Sequence, residues 1–173
     1  MSQDQPFRAR RIQAEIDDFI LPMGLKVAAI KLTAANVAVY GKPFSFASDE
    51  PGTFQASVTE ADLAAFLEKQ APVGLKKFKV RAADGKLYID AVKSMIIDVP
   101  AKAVCTLRIE GGTKMYVDIE SVEISGVGAK NLVQSQLDQI NPVLDVAELP
   151  IRATLQTIDT VDGAVVLKGV ATP

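Results

Sequence analysis

The feature that most restricts this fold is a series of alternating runs broken by glycine turns. Phe78-Lys79-Val80-Arg81 and Leu87-Tyr88-Ile89-Asp90-Ala91 alternate apolar with polar residues, and Asp84-Gly85 lies between them. Ala103 to Glu110 and Met115 to Glu120 repeat the pattern around Gly111-Gly112. A period of two sends every second side chain to one face of a strand, and Asp-Gly accepts the left-handed backbone of a tight hairpin. Four such strands in succession predict an antiparallel meander, apolar on one face and wet on the other.

Two further strands, Ile151 to Asp159 and Ala164 to Val170, flank the turn Thr160-Val161-Asp162-Gly163 and predict a last hairpin. Upstream, Leu25 to Tyr40 reads as β, with a change of phase near Ile30 that implies a bulge or bend. Gly41-Lys42-Pro43 reads as a turn, Ser45 to Gly52 as a polar loop and Phe54 to Val58 as a short strand.

Three segments carry helical spacing. Over Met1 to Leu21, Pro6 suits a first turn, and Phe7, Ile12, Ile16, Phe19 and Ile20 fall roughly on one face. Thr59 can cap a helix whose apolar face is Leu63, Phe66 and Leu67, with Pro72 and Gly74 closing it. Val127 to Ile140 presents Leu132, Val133, Leu137 and Ile140 on one side, and Pro142 ends it. The expected fold class is α+β, with three helices gathered on one face of a long antiparallel sheet. The expected organisation is a single domain over 1–173: an N-terminal helix over 1–21, then a sheet over 25–171 with two further helices.

Composition narrows the chemistry. The 173 residues are 49% apolar and 23% charged, enough to bury a core. There is no His and no Trp, and Cys105 is the single cysteine. Ser-His and Cys-His nucleophiles, ordinary zinc sites and intramolecular disulfides are thereby excluded. With seven Phe and three Tyr, the core is built mainly from aliphatic side chains. A net charge of −2 argues against a nucleic-acid partner. No cofactor is expected, and no apolar run approaches the roughly 18 residues of a membrane span. The N-terminus lacks the apolar stretch of a signal peptide, so the chain as it stands reads as cytoplasmic. A chain trimmed of its leader would look the same and would be extracytoplasmic.

At "SVTEADLAAFLEKQAP" and "NLVQSQLDQINPVLDVAELPIRATLQTIDTVDGAVVLKGVA" the pattern resembles the LmeA-like phospholipid-binding family. The resemblance runs over about residues 54–171 and is strongest at Val58 to Leu67 and Asn141 to Gly169. It implies a tubular lipid-binding type of fold, in which a strongly curved antiparallel β-meander wraps around helices and encloses an apolar cavity. It also implies a lipid partner, and many members carry an export leader. No catalytic motif transfers from the family.

The candidate site is the inward face of the alternating strands. Phe78, Val80, Leu87, Ile89, Leu107, Ile109 and Met115 belong to it, as do Val117, Ile119, Ile151, Leu155, Val165 and Leu167. These side chains either line a groove for acyl chains or are core filled by the helices. Each CH₂ removed from water there contributes about 0.8 kcal/mol. Arg8, Arg10 and Arg11 on the expected N-terminal helix could meet an anionic membrane surface, or form a solvated face. Lys76, Lys77, Lys79 and Arg81 could meet phosphate, but read most simply as the wet face of a strand. Asp84, Asp159 and Asp162 are turn residues rather than a cation site, and Cys105 is in phase with the core. Binding or transfer of lipid in a groove is the leading expectation, and a filled interaction module is the alternative. Catalysis would need a cleft where Lys and carboxylates converge.

Overall fold

Asp84 and Gly85 both adopt left-handed backbone (φ 54° and 74°), and the turn they make joins β5 (Leu75–Ala83) to β6 (Lys86–Lys93). Gly111 and Gly112 do the same (φ 60° and 68°) between β7 (Val99–Glu110) and β8 (Lys114–Ile124). These are the backbone signs that a right-twisted hairpin requires. The computed structural model describes residues 5–41, 44–71, 74–124, 129–149, 151–161 and 163–172. The expected closers Lys42-Pro43 and Pro72, together with Val127, Pro150 and Asp162, lie outside these residues.

The strands form two antiparallel sheets. The four-strand meander is present as β5-β6-β7-β8, extended by β9 (Leu144–Asp145). The other sheet runs β1 (Phe7–Ile20), β2 (Lys26–Gly41), β4 (Gly52–Thr59), β11 (Ala164–Thr172) and β10 (Arg152–Val161), with β3 (Phe44–Ser48) paired to β2. Helix α1 (Glu60–Gln70) leads from β4 to β5, and α2 (Ala129–Ile140) leads from β8 to β9. Among the described residues the protein is mostly antiparallel β with two α-helices, an α+β composition. Among the described residues no helix is long and apolar enough to cross a membrane.

Residues 1–4 of the helix expected over 1–21 lie outside the described residues, and Phe7–Ile20 forms a strand instead. β1 pairs with β2 from Phe7↔Val39 to Ile20↔Lys26, and Pro22-Met23-Gly24 is the hairpin turn, with Gly24 at φ 97°. The partly buried residues of β1 are Ala9, Ile12, Ile16 and Phe19, a spacing of three, four and three that imitates a helix. Left-handed backbone produces it. Asp18 has φ 53°, and Asn36, between the β2 partners of Ala9 and Arg11, has φ 51°. Each such residue turns the strand over, so the inward parity switches. The same switches put both Val27 and Ile30 of β2 in the core, the phase change visible in the sequence. The segment expected as a loop over Ser45 to Gly52 contains most of β3, which gains a partner on β2 from Val37↔Ser48 to Gly41↔Phe44.

The core lies between the sheets and under the helices. Leu21, Leu25, Val27, Ile30, Val58, Leu144 and Leu167 are at most 1% exposed. Each such burial stabilises by roughly 1.5–3 kcal/mol. The β10 edge meets the turn end of the meander: Leu155 N–H donates to the Gly112 carbonyl at 2.6 Å, and Gly85 N–H donates to Thr160 Oγ1 at 2.8 Å. α1 is tied down at both ends. Thr59 Oγ1 accepts from Asp62 N–H at 3.1 Å and so caps it. The Glu60 carboxylate accepts from Ala82 N–H at 2.7 Å, and that of Glu68 accepts from Lys77 and Phe78 N–H at 3.2 and 3.0 Å. These carboxylates occupy the free edge of β5, which would otherwise present bare donors.

Candidate functional site

The inner face of the meander, α1 and α2 enclose a pocket of about 130 Å³ whose accessible lining is apolar throughout. Alternation along each strand supplies the wall. β5 contributes Phe78 and Val80, β6 contributes Leu87 and Ile89, and β7 contributes Leu107. β8 contributes Met115, Val117 and Ile119, and Val165 reaches in from β11. The other four residues of the expected face lie elsewhere. Leu155 and Leu167 are buried in the core (4% and 0% exposed), and Ile109 and Ile151 pack against it. Period-two spacing identifies the inward side of a strand, but not which inward residues meet another layer.

Several lining residues were not evident as such in the sequence. α1 adds Leu63, Phe66 and Leu67, Ala71 follows at its C-cap, and α2 adds Val133, Leu137 and Ile140. Their apolar faces are legible, but as covers rather than as one wall of a shared space. Val122 and Ile124 of β8 are out of phase with Met115-Val117-Ile119. The register moves from Cys105↔Ile119 to Val104↔Ser121, so Glu120 is an extra residue that restores the inward phase. The signal was present as the three-residue step from Ile119 to Val122.

The charges lie outside. Among the described residues no polar or charged side chain is buried. Lys77, Lys79 and Arg81 are exposed, and the Arg81 guanidinium lies 4.2 Å from the centre of the Tyr88 ring. Lys76 pairs with Asp98 at 3.6 Å. On the outer face of β7 and β8, Arg108 pairs with Asp118 at 2.9 Å and Glu110 at 2.7 Å, and these hydrogen bonds raise its pKa. Lys26 bridges Asp18 and Asp62 at 3.1 Å each, which raises its pKa as well.

Asp84 occupies its turn, and Asp159 pairs with Lys168 at 2.9 Å. Cys105 is 3% exposed, and burial, reinforced by Asp118, pushes its thiol up to about 11. Among the described residues no three His, Cys, Asp or Glu side chains converge to hold a metal ion. Arg8, Arg10 and Arg11 lie exposed on β1, so the basic amphipathic helix that would have presented them is absent.

α2 is fastened at its C-terminal end. The Asn141 side chain donates to the Val117 carbonyl at 2.9 Å and accepts from Val117 N–H at 3.0 Å. It thereby satisfies both backbone groups that β8 turns away from β7. Val143 N–H then donates to the Met115 carbonyl at 3.0 Å, and Val146 N–H to the Thr113 carbonyl at 2.8 Å. Gln70, Lys102 and Gln136 border the pocket but turn no accessible polar atom into it, so the accessible surface suits hydrocarbon better than a polar solute.

A family model described as LmeA-like phospholipid-binding matches residues 6–170. Neither the curated proteins nor the solved structures provide a match.

Proposed function

Because the chain belongs to the LmeA-like phospholipid-binding family, we propose that it holds acyl chains of a phospholipid between α1, α2 and the meander, without transforming them. The observation that carries this reading is the pocket wall. It follows β8 from Met115 to Ile124, eight ladder steps across the bulge or about 26 Å at roughly 3.3 Å each, with apolar accessible lining throughout. The shape calls for a long hydrocarbon, and each CH₂ it shelters contributes about 0.8 kcal/mol. The headgroup stays outside, where the charged side chains are. The sheet and helices then work as a tubular lipid-binding fold.

A volume of about 130 Å³ is close to that of the roughly 150 Å³ apolar cavities that hold one benzene. A whole acyl chain therefore needs the pocket to widen. α1 is held by Glu60 and Glu68 along β5, and among the described residues the side-chain hydrogen bonds that fasten α2 to the sheet are those of Asn141 to Val117. In this reading α2 lifts away by breaking the Asn141 bonds to Val117, which admits and releases lipid, and transfer between two lipid pools is the same opening used twice.

Mass spectrometry of organic extracts of purified protein, with titration of a fluorescent fatty acid, tests the proposal. Phospholipid is expected in the extract. Leu107→Trp, which places an indole in the pocket, is expected to weaken uptake at least about tenfold, the equivalent of about 1.4 kcal/mol. An extract free of lipid, together with no uptake by the wild-type chain, overturns it.

A further inference from the structure

Met95, Ile96 and Ile97 form the tip of the loop between β6 and β7, and they are 61%, 103% and 75% exposed. Three consecutive large apolar side chains projecting into water mark a surface that is covered by something else. The base of the loop is held. Ser94 N–H donates to the Gly74 carbonyl at 2.6 Å, Ser94 Oγ donates to Asp98 Oδ1 at 3.1 Å, and Lys76 pairs with Asp98 at 3.6 Å. The tip is thus presented on a fastened stem.

Cations surround it. Lys93 leads into the loop, paired across the sheet with Leu75, and Lys76 pairs with Val92. Lys77 is exposed at the bulge that follows, and Lys69 is in the last turn of α1. Of the acids near this end, Asp98 is engaged at the base of the loop, Glu68 is turned onto the Lys77 and Phe78 backbone, and Asp90 and Glu123 lie in register beside Lys79 and Lys102 rather than at the tip. An apolar tip flanked by lysines of α1, β5 and β6 fits the boundary between anionic headgroups and acyl chains. It fits a protein partner poorly, because lysine is depleted from protein interfaces.

The pocket reaches the same end of the molecule. Ala71, Leu75, Ala91, Ala101 and Ile124 line it there, and Leu75 is the register partner of Lys93. The opposite end is crossed by β10 at Gly85 and Gly112. We propose that Met95, Ile96 and Ile97 insert into the interfacial layer of an anionic phospholipid bilayer, with Lys76, Lys77 and Lys93 on its headgroups. Docked in this way, the end of the pocket away from β10 faces the membrane. The choice of a bilayer as partner rests on the lipid-binding function proposed above.

The absence of native Trp makes Ile96→Trp a single-site probe. Mixed with phosphatidylcholine–phosphatidylglycerol vesicles, its emission is expected to shift to the blue and to be quenched by lipid brominated on the acyl chains. Phosphatidylcholine vesicles alone bind it less, and added salt weakens binding, as the Debye length of about 8 Å at 0.15 M shrinks further. Ile96→Asp is expected to lower vesicle co-sedimentation at least about tenfold while leaving uptake of a fluorescent fatty acid, measured without vesicles, unchanged. Unshifted emission with both vesicle types, or wild-type sedimentation of Ile96→Asp, overturns the proposal. So does a dimer in light scattering that Ile96→Asp abolishes while wild-type protein ignores vesicles. Vesicle binding by a chain that takes up no fatty acid upholds the docking surface and removes the pocket function instead.

Discussion

Replacing Asn141 by Ala removes both hydrogen bonds between the end of α2 and Val117. A typical intramolecular hydrogen bond contributes a net ~1 kcal/mol, and stranding a poorly hydrated backbone group adds to the loss. Val117 is 7% exposed, so water replaces the amide only in part. The expected destabilisation is about 2–3 kcal/mol. With a urea m-value of roughly 2 kcal/mol per molar, the unfolding midpoint falls by about 1 M. The matched control is Gln134→Ala, which breaks an exposed bond to Asp138 on the same helix (2.8 Å) and costs at most about 0.5 kcal/mol. If α2 opens by breaking the Asn141 bonds, the same ~2 kcal/mol raises the open population by up to ~30-fold. Release of a bound fluorescent fatty acid, followed by stopped-flow dilution into an excess of acceptor vesicles, should accelerate in proportion. An Asn141→Ala midpoint no lower than that of Gln134→Ala would refute the structural argument. A lower midpoint with an unchanged release rate would show that α2 is not the moving part.

Three other outcomes follow from particular contacts. A Cβ on Gly169 would overlap the Thr154 carbonyl oxygen, so Gly169→Ala must displace β10 and is expected to cost about 3 kcal/mol in a urea titration. Thr59→Ala removes the α1 cap and should cost about 1 kcal/mol, whereas Thr59→Ser retains most of it. The Cys105 thiol has its folded pKa raised by burial from 9.0 to about 11. The stability tied to the neutral thiol is therefore fully present below pH 9 and is lost as pH rises through about 11, by roughly 3 kcal/mol in all. Subtracting the stability–pH curve of Cys105→Ala from that of wild type isolates this loss, and a flat difference between pH 8 and 11 would contradict it.

The elements legible from sequence are those whose information is local. Asp84-Gly85 and Gly111-Gly112 specify their turns because few other residues accept left-handed backbone, and Thr59 announces a helix because its hydroxyl caps the first turn. The flanking alternation then places Val80, Leu87, Leu107 and Val117 inward. The candidate wall was legible to the extent that each strand declares its own apolar side. Ile109, Leu155 and Leu167 share that pattern and are packed away from the pocket, because what lies opposite a side chain is set by another layer.

The sequence by itself determined the antiparallel meander, the capped α1, the amphipathic α2 and an aliphatic interior without histidine, tryptophan or paired cysteine. Only the tertiary structure decided that residues 7–20 are a strand. Ala9, Ile12, Ile16 and Phe19 have helical spacing, and it is pairing with β2, with the turnovers at Asp18 and Asn36, that makes that spacing extended. It also decided that Asn141 ties the end of α2 to Val117 of β8 and that Met95, Ile96 and Ile97 stand clear of the core. The physical reason is the same in each case. Backbone preference and periodicity act within a few residues, whereas edge pairing, closure of a wall and exposure of a loop depend on partners that are distant along the chain.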